Sequence, residues 1–230
     1  MQNLKVIFED NHIIVVEKPV NIPSQADKTG DIDMLTIIKA YLKEKYNKPG
    51  NVYLGLVHRL DRPVGGVMVF AKTSKSAGRL SNQVREKQFQ KTYLVIVNGK
   101  MENQKGTLQD YLLKNEKTNI SKVVKEGTKN SKLAILDYEV LKYDKELNLS
   151  VLKIKLHTGR HHQIRVQLSS RNHSIYGDQK YAGRGHGKQI ALWAYNLKFY
   201  HPISNELMEF EAMPEMIGSW AILKENCNIS

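Results

Sequence analysis

The spacing of apolar and polar residues predicts more strands than helices along this chain. Short apolar runs of five to ten residues are bounded by turn-forming residues, and many of them alternate in polarity. The predicted strands are Leu4 to Phe8, His12 to Glu17, Val67 to Ala71, Tyr93 to Val97, Leu133 to Lys142, Leu149 to Leu156, Leu192 to Tyr200 and Leu207 to Ala212. Most successive strands are joined by hairpin-like turns. We therefore expect an α+β fold with a mixed, mainly antiparallel central sheet flanked by helices and loops.

Two segments have helical periodicity. Asp33 is a good N-cap for a helix that runs to about Lys45, with Leu35, Ile38 and Leu42 on one face.

A basic helix should follow the strand at Val67 to Ala71. Its Ala77, Leu80 and Val84 would face the core, and Lys75 and Arg79 would lie outside.

Lysines dominate the segment from Lys114 to Lys132, which holds six of them against Glu116 and Glu126. Asn, Thr, Ser and Gly fill the positions between, so the composition favours a solvated loop. Such a loop could still contact phosphate, because a lysine acts as a point charge that needs no fixed geometry.

The chain shows no internal repeat and no linker-like segment, so we expect one domain over residues 1–230, without an appended N-terminal RNA-binding domain. Its longest apolar runs are far too short to cross a membrane. The single cysteine, Cys227, excludes an internal disulfide and a cysteine-based metal cage, and a reducing cytoplasm is the expected location.

Charge gives the first indication of function. Thirty-five Lys and Arg against 23 Asp and Glu leave a formal net charge of +12. A surplus of that size favours a polyanionic partner. Nucleic acid is favoured over a membrane surface, because the sequence has no amphipathic basic helix and no lipidation motif.

Several common enzyme motifs are missing, among them the phosphate-binding loop, the dinucleotide-binding glycine pattern and the nucleophile elbow. His157, His161 and His162 suggest a metal site, but no clear third ligand or acidic cluster accompanies them, so we expect no metal.

Polar and basic residues gather instead in three segments at predicted element boundaries, where a scaffold can direct them at a ligand. The segments are HRLDRPVGGVMVFAKTSKSA from His58 to Ala77, QFQKTY from Gln88 to Tyr93, and LHTGRHHQIRVQL from Leu156 to Leu168. Asp61 lies between two arginines at the start of a turn rich in Pro and Gly. Taken alone, it could be an ordinary turn residue whose charge the arginines neutralise.

Together these segments resemble the RluA-type RNA pseudouridine synthases. The resemblance rests on H-R-L-D at His58 to Asp61, K-x-Y at Lys91 to Tyr93, T-G-R-x-H-Q-I-R at Thr158 to Arg165, and G-D at Gly177-Asp178. It extends from about Leu4 to Pro214. Four ordered motifs at compatible spacing are highly specific.

The resemblance implies a site and a reaction. It assigns catalysis to Asp61, Tyr93 and Arg165, with Arg165 paired to Asp61. The residues that it implies for RNA binding are His58, Arg59, Arg62, Lys91, Arg160, His162 and Gln163, and in relatives the arginine at the position of Arg59 helps to displace the target base. The reaction isomerises a uridine of ribosomal or transfer RNA without redox change or group donor, so no cofactor is implied. We expect a monomer, and the alternative is a non-catalytic RNA-binding module that keeps the fold.

The sequence departs from the family pattern at several positions. Pro63-Val64-Gly65 replaces a more common polar stretch, His161 stands where Thr is usual, Gln167 where His is usual, and Trp193 where the family often has His. None of these changes removes a group that the chemistry requires.

Overall fold

The structure is a computed structural model that describes residues 4–182 and 189–224. By contacts the chain divides into two compact units, Met1–Lys91 with Ala194–Met213 and Thr92–Trp193 with Pro214–Ser230. A single catalytic domain over residues 1–230 therefore stays a prediction. Cys227 lies outside the described residues.

The observed elements match the predicted class. The described strands are β1 (Lys5–Glu9), β2 (Ile13–Lys18), β3 (Gly55–Leu56), β4 (Gly65–Ala71), β5 (Gln90–Asn98), β6 (Lys105–Asn115), β7 (Ile120–Val124), β8 (Lys132–Asp144), β9 (Leu149–Leu156), β10 (Leu192–Tyr200) and β11 (Leu207–Glu211). The described helices are α1 (Met34–Lys45), α2 (Ser74–Arg85), α3 (Gln163–Ser169) and a 3₁₀ helix (Gly218–Lys224). The α+β fold with a mixed, mainly antiparallel sheet is confirmed. None of the described helices is long and apolar enough to cross a membrane.

In the first unit the strand order is β1-β2-β4-β10-β11, with β3 paired to β4. Strand β2 is antiparallel to both β1 and β4, and β10 and β11 form the predicted hairpin. Alternate residues of β2 and β4, such as Val15 and Val69, join Leu80 and Phe199 in one apolar cluster. The period of two along these strands thus places one face of the sheet in the core.

Helix α1 has the predicted bounds. The Asp33 carboxylate accepts from the backbone N–H groups of Leu35 and Thr36, at 2.9 and 3.3 Å, and so satisfies two of the unpaired donors at the helix start. Met34, Ile38 and Leu42 are its buried face.

Helix α2 also forms as predicted, but its most buried residues include polar ones, Ser76 and Gln83 beside Leu80. Gln83 can be buried because its side-chain amide pairs with the backbone of Tyr200, donating at 2.7 Å and accepting at 2.9 Å. Ala77 and Val84 are half-buried and pack against the core cluster.

In the second unit the strand order is β5-β9-β8-β6-β7. The predicted β8–β9 hairpin is present, with opposite charges facing each other at Asp137 and Lys155 and at Glu139 and Lys153. Such cross-strand pairs are suited to the solvent face of a sheet.

The loop interpretation of Lys114 to Lys132 is wrong at Lys114 and Asn115, which end β6, at Lys132, which begins β8, and over Ile120–Val124. Ile120–Val124 form β7, which pairs antiparallel with β6 and makes a hairpin. Ser121 is buried, whereas Lys122, Lys125 and Lys129 are exposed as expected. Residues 114–129 are called the basic hairpin below.

Helix α3 was not predicted. It starts after His162, which adopts the left-handed conformation with φ 54°. Every residue from Gln163 to Leu168 is buried, so the segment has no polar face and no amphipathic period.

Candidate active site

Asp61 stands at the start of a tight turn that leads into β4. The Val64 N–H donates to the Asp61 carbonyl at 2.9 Å, which closes the turn, and Asp61 itself is half-buried. Gly66 follows with φ 121°, and a Cβ on it would lie 2.1 Å from the Ala194 carbonyl oxygen. Only glycine fits there, which explains one residue of the motif.

Lys18, at the end of β2, holds this turn from inside the first unit. Its side chain is completely buried, and its ammonium group donates to the carbonyls of Pro19, Arg62 and Val64 at 2.9, 3.0 and 2.7 Å. Burial lowers the pKa of Lys18 to about 7, while the charge of Asp61 acts in the opposite direction. Lys18 is thus a buried ionisable residue bonded to the turn that carries Asp61, and sequence reasoning missed it; a lysine after the apolar run Ile13–Val16 was the available indication.

His58 and Leu60 fix the segment before the turn. His58 is buried against Phe89, with ring centroids 5.3 Å apart, and its Nε2 accepts from the Val69 N–H at 3.1 Å. Burial lowers the pKa of His58 well below its usual value, with a further contribution from Lys91. The Leu60 backbone pairs with the Ser24 hydroxyl. His58 therefore has an internal structural contact, and its role in RNA binding stays a prediction.

Lys91 is another basic residue that the resemblance assigned to RNA. Its ammonium lies 5.4 Å from the centre of the Phe89 ring, and burial lowers its pKa. Binding of RNA by Lys91 also stays a prediction.

The two arginines around Asp61 differ. Arg59 is exposed, whereas Arg62 donates to the Asn21 carbonyl at 3.2 Å and to Thr29 at 3.0 Å, and forms an ion pair with Asp31. The hydrogen bond from Arg62 is the main reason why the pKa of Asp31 is lowered. The charge of Arg62 is thus compensated by the loop before α1, and its contact with RNA stays a prediction.

In the second unit, residues of the T-G-R-x-H-Q motif hydrogen-bond the loop between β9 and α3 to the backbone of β8. The Thr158 hydroxyl accepts from the Ile135 N–H and lies 2.8 Å from Gln163 Oε1. Gln163 also accepts from the Arg160 N–H at 3.0 Å and donates to the Ile135 carbonyl at 3.0 Å. Gln163 is buried, so these internal bonds explain its place in the motif, and RNA binding by Gln163 stays a prediction.

Arg165 is buried on α3 and forms a two-pronged ion pair with Asp178. Its Nε and Nη2 donate to the two carboxylate oxygens at 2.8 and 2.7 Å. The G-D motif thereby supplies a partner that the sequence did not assign to Arg165. Gly177 has φ 75°, and a Cβ on it would lie 2.0 Å from the Gln189 carbonyl oxygen, so this position also requires glycine.

Tyr93 is buried on β5. Tyr93 and Arg165 belong to the second unit and Asp61 to the first, so their meeting in one site, and the pairing of Arg165 with Asp61, stay predictions.

The three histidines considered for metal binding have protein partners. His157 Nε2 lies 2.6 Å from Asp137, His161 Nδ1 lies 2.9 Å from the Ser121 hydroxyl, and His162 Nδ1 lies 2.9 Å from the Tyr181 hydroxyl. Within residues 4–182 and 189–224, no three His, Cys, Asp or Glu are grouped so that they could hold a metal ion.

The remaining departures from the family pattern are buried. Gln167 is completely buried and donates to the Asp110 carboxylate at 2.7 Å, and Trp193 is buried on β10. Arg160 is exposed and donates through Nε to the Leu133 carbonyl at 2.8 Å.

Comparison with known proteins identifies the family. The model of the RNA pseudouridylate synthase family matches residues 12–170. An uncharacterized RNA pseudouridine synthase from Aquifex aeolicus is 33% identical over 221 residues, covering 90% of this chain and 68% of the relative. Ribosomal large subunit pseudouridine synthase D from Neisseria meningitidis serogroup B is 33% identical over 231 residues, covering 91% of this chain and 58% of the relative.

Solved structures show the same fold. Human RNA pseudouridylate synthase domain containing 4 aligns with a TM-score of 0.76 at 20% identity, over 92% of this chain and 89% of that one. Human RNA pseudouridylate synthase domain containing 1 aligns with a TM-score of 0.74 at 22% identity, over 95% and 86%. The resemblance inferred from the motifs is confirmed: the chain belongs to the RNA pseudouridylate synthase family and is an isomerase of the RluA type.

Proposed function

We propose that this protein isomerises a specific uridine in structured ribosomal or transfer RNA, with Asp61 as the catalytic carboxylate. The observation that carries the proposal is the anchoring of the Asp61 turn by the buried ammonium of Lys18, inside the region that matches the family model. A chain that needed Asp61 only as a turn residue would have no use for a buried cation beneath it, because burying a charge is costly. The Neisseria relative is named for the large ribosomal subunit, which favours ribosomal RNA.

The reaction breaks the bond between N1 of uracil and the ribose, rotates the base and joins the ribose to C5. The proton of C5 is lost and N1 gains one, so the balance needs neither an oxidant nor a donor. Asp61 can attack the sugar or the base covalently, or remove a ribose proton. In each route it has to be ionised, and nearby positive groups favour that form.

Tyr93 and Arg165 complete the proposed site. Arg165 would pair with Asp61 and keep it charged. The Tyr93 hydroxyl would lie against the uracil and act as the base, or the relay to a base, for the proton of C5.

The target nucleotide has to leave its stack, since a base inside a stem cannot reach a half-buried carboxylate. Arg59 is exposed beside Asp61 and suits the displacement of the base. Phosphate contacts would come from Arg160 and the exposed lysines of the basic hairpin, in keeping with the net charge of +12. The proposal includes a monomer that acts in the cytoplasm without metal or cofactor.

Asp61→Asn is the direct test, because it keeps the shape of the side chain but removes its charge and its nucleophilic oxygen. Turnover should fall by roughly a factor of 10⁴ or more, as for other lost nucleophiles. RNA affinity should hold or rise slightly, since a negative charge leaves a phosphate-binding surface. The measurements are tritium release from uridine labelled at C5 and filter binding of the same RNA.

Lys28→Ala, an exposed charge change in the same unit, is the control and should alter neither quantity by more than about twofold. Equal turnover by the wild type and Asp61→Asn would overturn the assignment of Asp61. Binding of RNA without turnover by the wild type, across the cellular RNA pool, would favour the non-catalytic RNA-binding module.

A further inference from the structure

The basic hairpin is fastened to the rest of the second unit at Ser121. The Ser121 N–H donates to the Tyr181 hydroxyl at 2.8 Å, and the Ser121 hydroxyl lies 2.9 Å from His161 Nδ1. The Lys180 ammonium adds a bond to the Asn119 carbonyl at 3.3 Å. Ser121 is only 3% exposed although Lys122 beside it is exposed. The hairpin is thus attached on one side and presents its cations on the other.

Tyr181 also contacts both members of the buried ion pair, Arg165 and Asp178. Its ring centre lies 5.2 Å from the Arg165 guanidinium carbon. Its backbone N–H donates to Asp178 Oδ1 at 3.2 Å, the same oxygen that accepts from Arg165 Nη2. A shift of Tyr181 would therefore change the position of the carboxylate that orients Arg165.

His161 provides a second connection from the hairpin to the start of α3. Its ring stacks on that of His162 at a centroid distance of 3.7 Å and an angle of 27°. His162 in turn shares a hydrogen bond with the Tyr181 hydroxyl and has left-handed backbone angles immediately before α3. A threonine, usual in the family at position 161, could not stack in this way, so the aromatic link distinguishes this chain from the family pattern.

We propose that Tyr181 and His161 are positioning residues that couple phosphate binding by the basic hairpin to the orientation of Arg165. RNA that engages Lys122 and Lys125 would hold the hairpin in the arrangement that keeps Tyr181 against Arg165 and Asp178. By thermodynamic reciprocity, a correctly placed Arg165 also strengthens the hold of the hairpin on RNA. This inference rests on the proposed function, in which Arg165 serves the reaction.

A double-mutant cycle on the full chain tests the coupling. Tyr181→Phe removes the hydroxyl that contacts Ser121 and His162 but keeps the ring beside Arg165. The hairpin change is Lys122→Ala with Lys125→Ala. The rate of pseudouridine formation is measured in single turnovers at saturating RNA, so that a change in affinity does not enter. The control is Tyr143→Phe, which removes an exposed hydroxyl bonded to Asn148 elsewhere in the same unit.

The hairpin change should slow the reaction about fivefold or more in the wild type and in Tyr143→Phe, as expected for coupling between sites. In Tyr181→Phe it should slow the reaction less, because the connection through the Tyr181 hydroxyl is already broken and only the one through His161 remains. His161→Thr should reduce the effect of the hairpin change in the same way. Equal fold-reductions in the Tyr181→Phe and wild-type backgrounds would overturn the proposal.

Hydrogen exchange supplies a readout that does not depend on activity. RNA should raise the protection of residues 160–181 in the wild type, and should raise it less in Tyr181→Phe or after the hairpin change, at saturating RNA in each case. Tritium release by a wild type whose protection is unaffected by RNA would reject the coupling and leave the proposed function standing. Protection without any pseudouridine formation would retain the coupling and reject the proposed function.

Discussion

Asp61 in the first unit and Arg165 in the second are each held by a buried ionic group, but the groups differ in kind. Asp61 sits on a turn whose backbone carbonyls receive the Lys18 ammonium. The side chain of Arg165 itself is held by an ion pair with the Asp178 carboxylate. The carbonyls and the charge of Asp61 offset the desolvation cost of Lys18 only in part, since its pKa is still lowered, whereas a paired carboxylate and guanidinium compensate each other.

This difference affects how the two anchors respond to change. The Lys18 anchor holds the turn through the backbone carbonyls of Arg62 and Val64, and its charge also interacts with that of Asp61. The Arg165 anchor fixes the side chain itself and depends on both partners. The contribution of Lys18 to stability should change with pH above about 7, where its ammonium loses its proton. The contribution of the Arg165–Asp178 pair should be lost when either residue is replaced.

Breaking the Arg165–Asp178 pair should have the largest effect. Arg165→Met leaves the buried Asp178 carboxylate unpaired and should lower the free energy of unfolding by about 3–5 kcal/mol. Arg171→Met is the matched control, because its pair with Asp110 is partly exposed and should be worth less than about 1 kcal/mol. Urea denaturation of both variants measures the difference. Similar losses would show that burial does not set the strength of the Arg165 anchor.

The Lys18 anchor should reveal itself through pH. The pKa of Lys18 is about 7 in the folded protein against an ordinary value of 10.5, so between these values the unfolded chain binds more protons. The stability conferred by this group therefore rises with pH across that window, with a slope approaching 1.4 kcal/mol per pH unit, about one proton's worth.

Subtracting the unfolding free energy of Lys18→Met from that of the wild type at each pH isolates this slope from the other titrating groups. The same subtraction for Arg165→Met should be nearly flat between pH 7 and 10.5, because a guanidinium stays protonated there. A flat difference for Lys18 as well would mean that the three carbonyls keep its ammonium charged throughout, and the contrast between the anchors would disappear.

Each unit has a motif glycine, Gly66 in the first and Gly177 in the second, and replacing either one should destabilise the protein. Gly66→Ala and Gly177→Ala each place a Cβ about 2 Å from a carbonyl oxygen at a positive φ, and each should cost about 1–3 kcal/mol or more. Gly78→Ala is the control: its position on α2 is open, so alanine should stabilise the protein by about 0.5–1 kcal/mol. Thermal unfolding shows whether each substitution lowers or raises the unfolding temperature. A neutral Gly66→Ala would show that the turn can move away from Ala194.

The smallest effect should be on the salt dependence of RNA binding. Replacing Lys122, Lys125 and Lys129 by alanine should lower the slope of log affinity against log salt by about 0.7–0.9 for each phosphate that the protein no longer neutralises. Replacing three exposed lysines of the first unit, Lys28, Lys39 and Lys43, by alanine provides a charge-matched comparison. Equal changes in slope from both sets would mean that net charge, and not the hairpin, determines the electrostatics of binding.

Elements with local determinants could be predicted from the sequence. The Asp33 cap and the turn before β9 are encoded within a few residues, and so α1 and the β8–β9 hairpin were placed correctly. Strand β7 was missed because lysines and turn-forming residues dominate the segment around it, although Ile120, Val123 and Val124 within the strand are β-branched. It pairs with β6, a long-range contact that the local composition does not show.

The candidate site, too, could be predicted from the sequence only in part. The types of residue in the motifs identify the family, but they do not say which side chains are buried. His58, Gln163 and Arg165 were expected at element boundaries and are buried, where His58 Nε2, Gln163 and Arg165 hydrogen-bond to Val69, Ile135 and Asp178. Those partners are 11, 28 and 13 residues away in sequence, so only the folded chain reveals them.

The basic hairpin also bears on how the protein behaves when no RNA is present. Strand β7 ends the strand order of the second unit, and its Ile120 and Val123 are partly exposed. Tyr181 occupies the Ser121 N–H on this strand. The exposed remainder of a strand edge can pair with another chain, and lysines along an edge are a recognised protection against such pairing. In the absence of RNA we therefore expect Lys122 and Lys125 to limit edge-to-edge pairing between molecules, in addition to the phosphate contacts proposed for them.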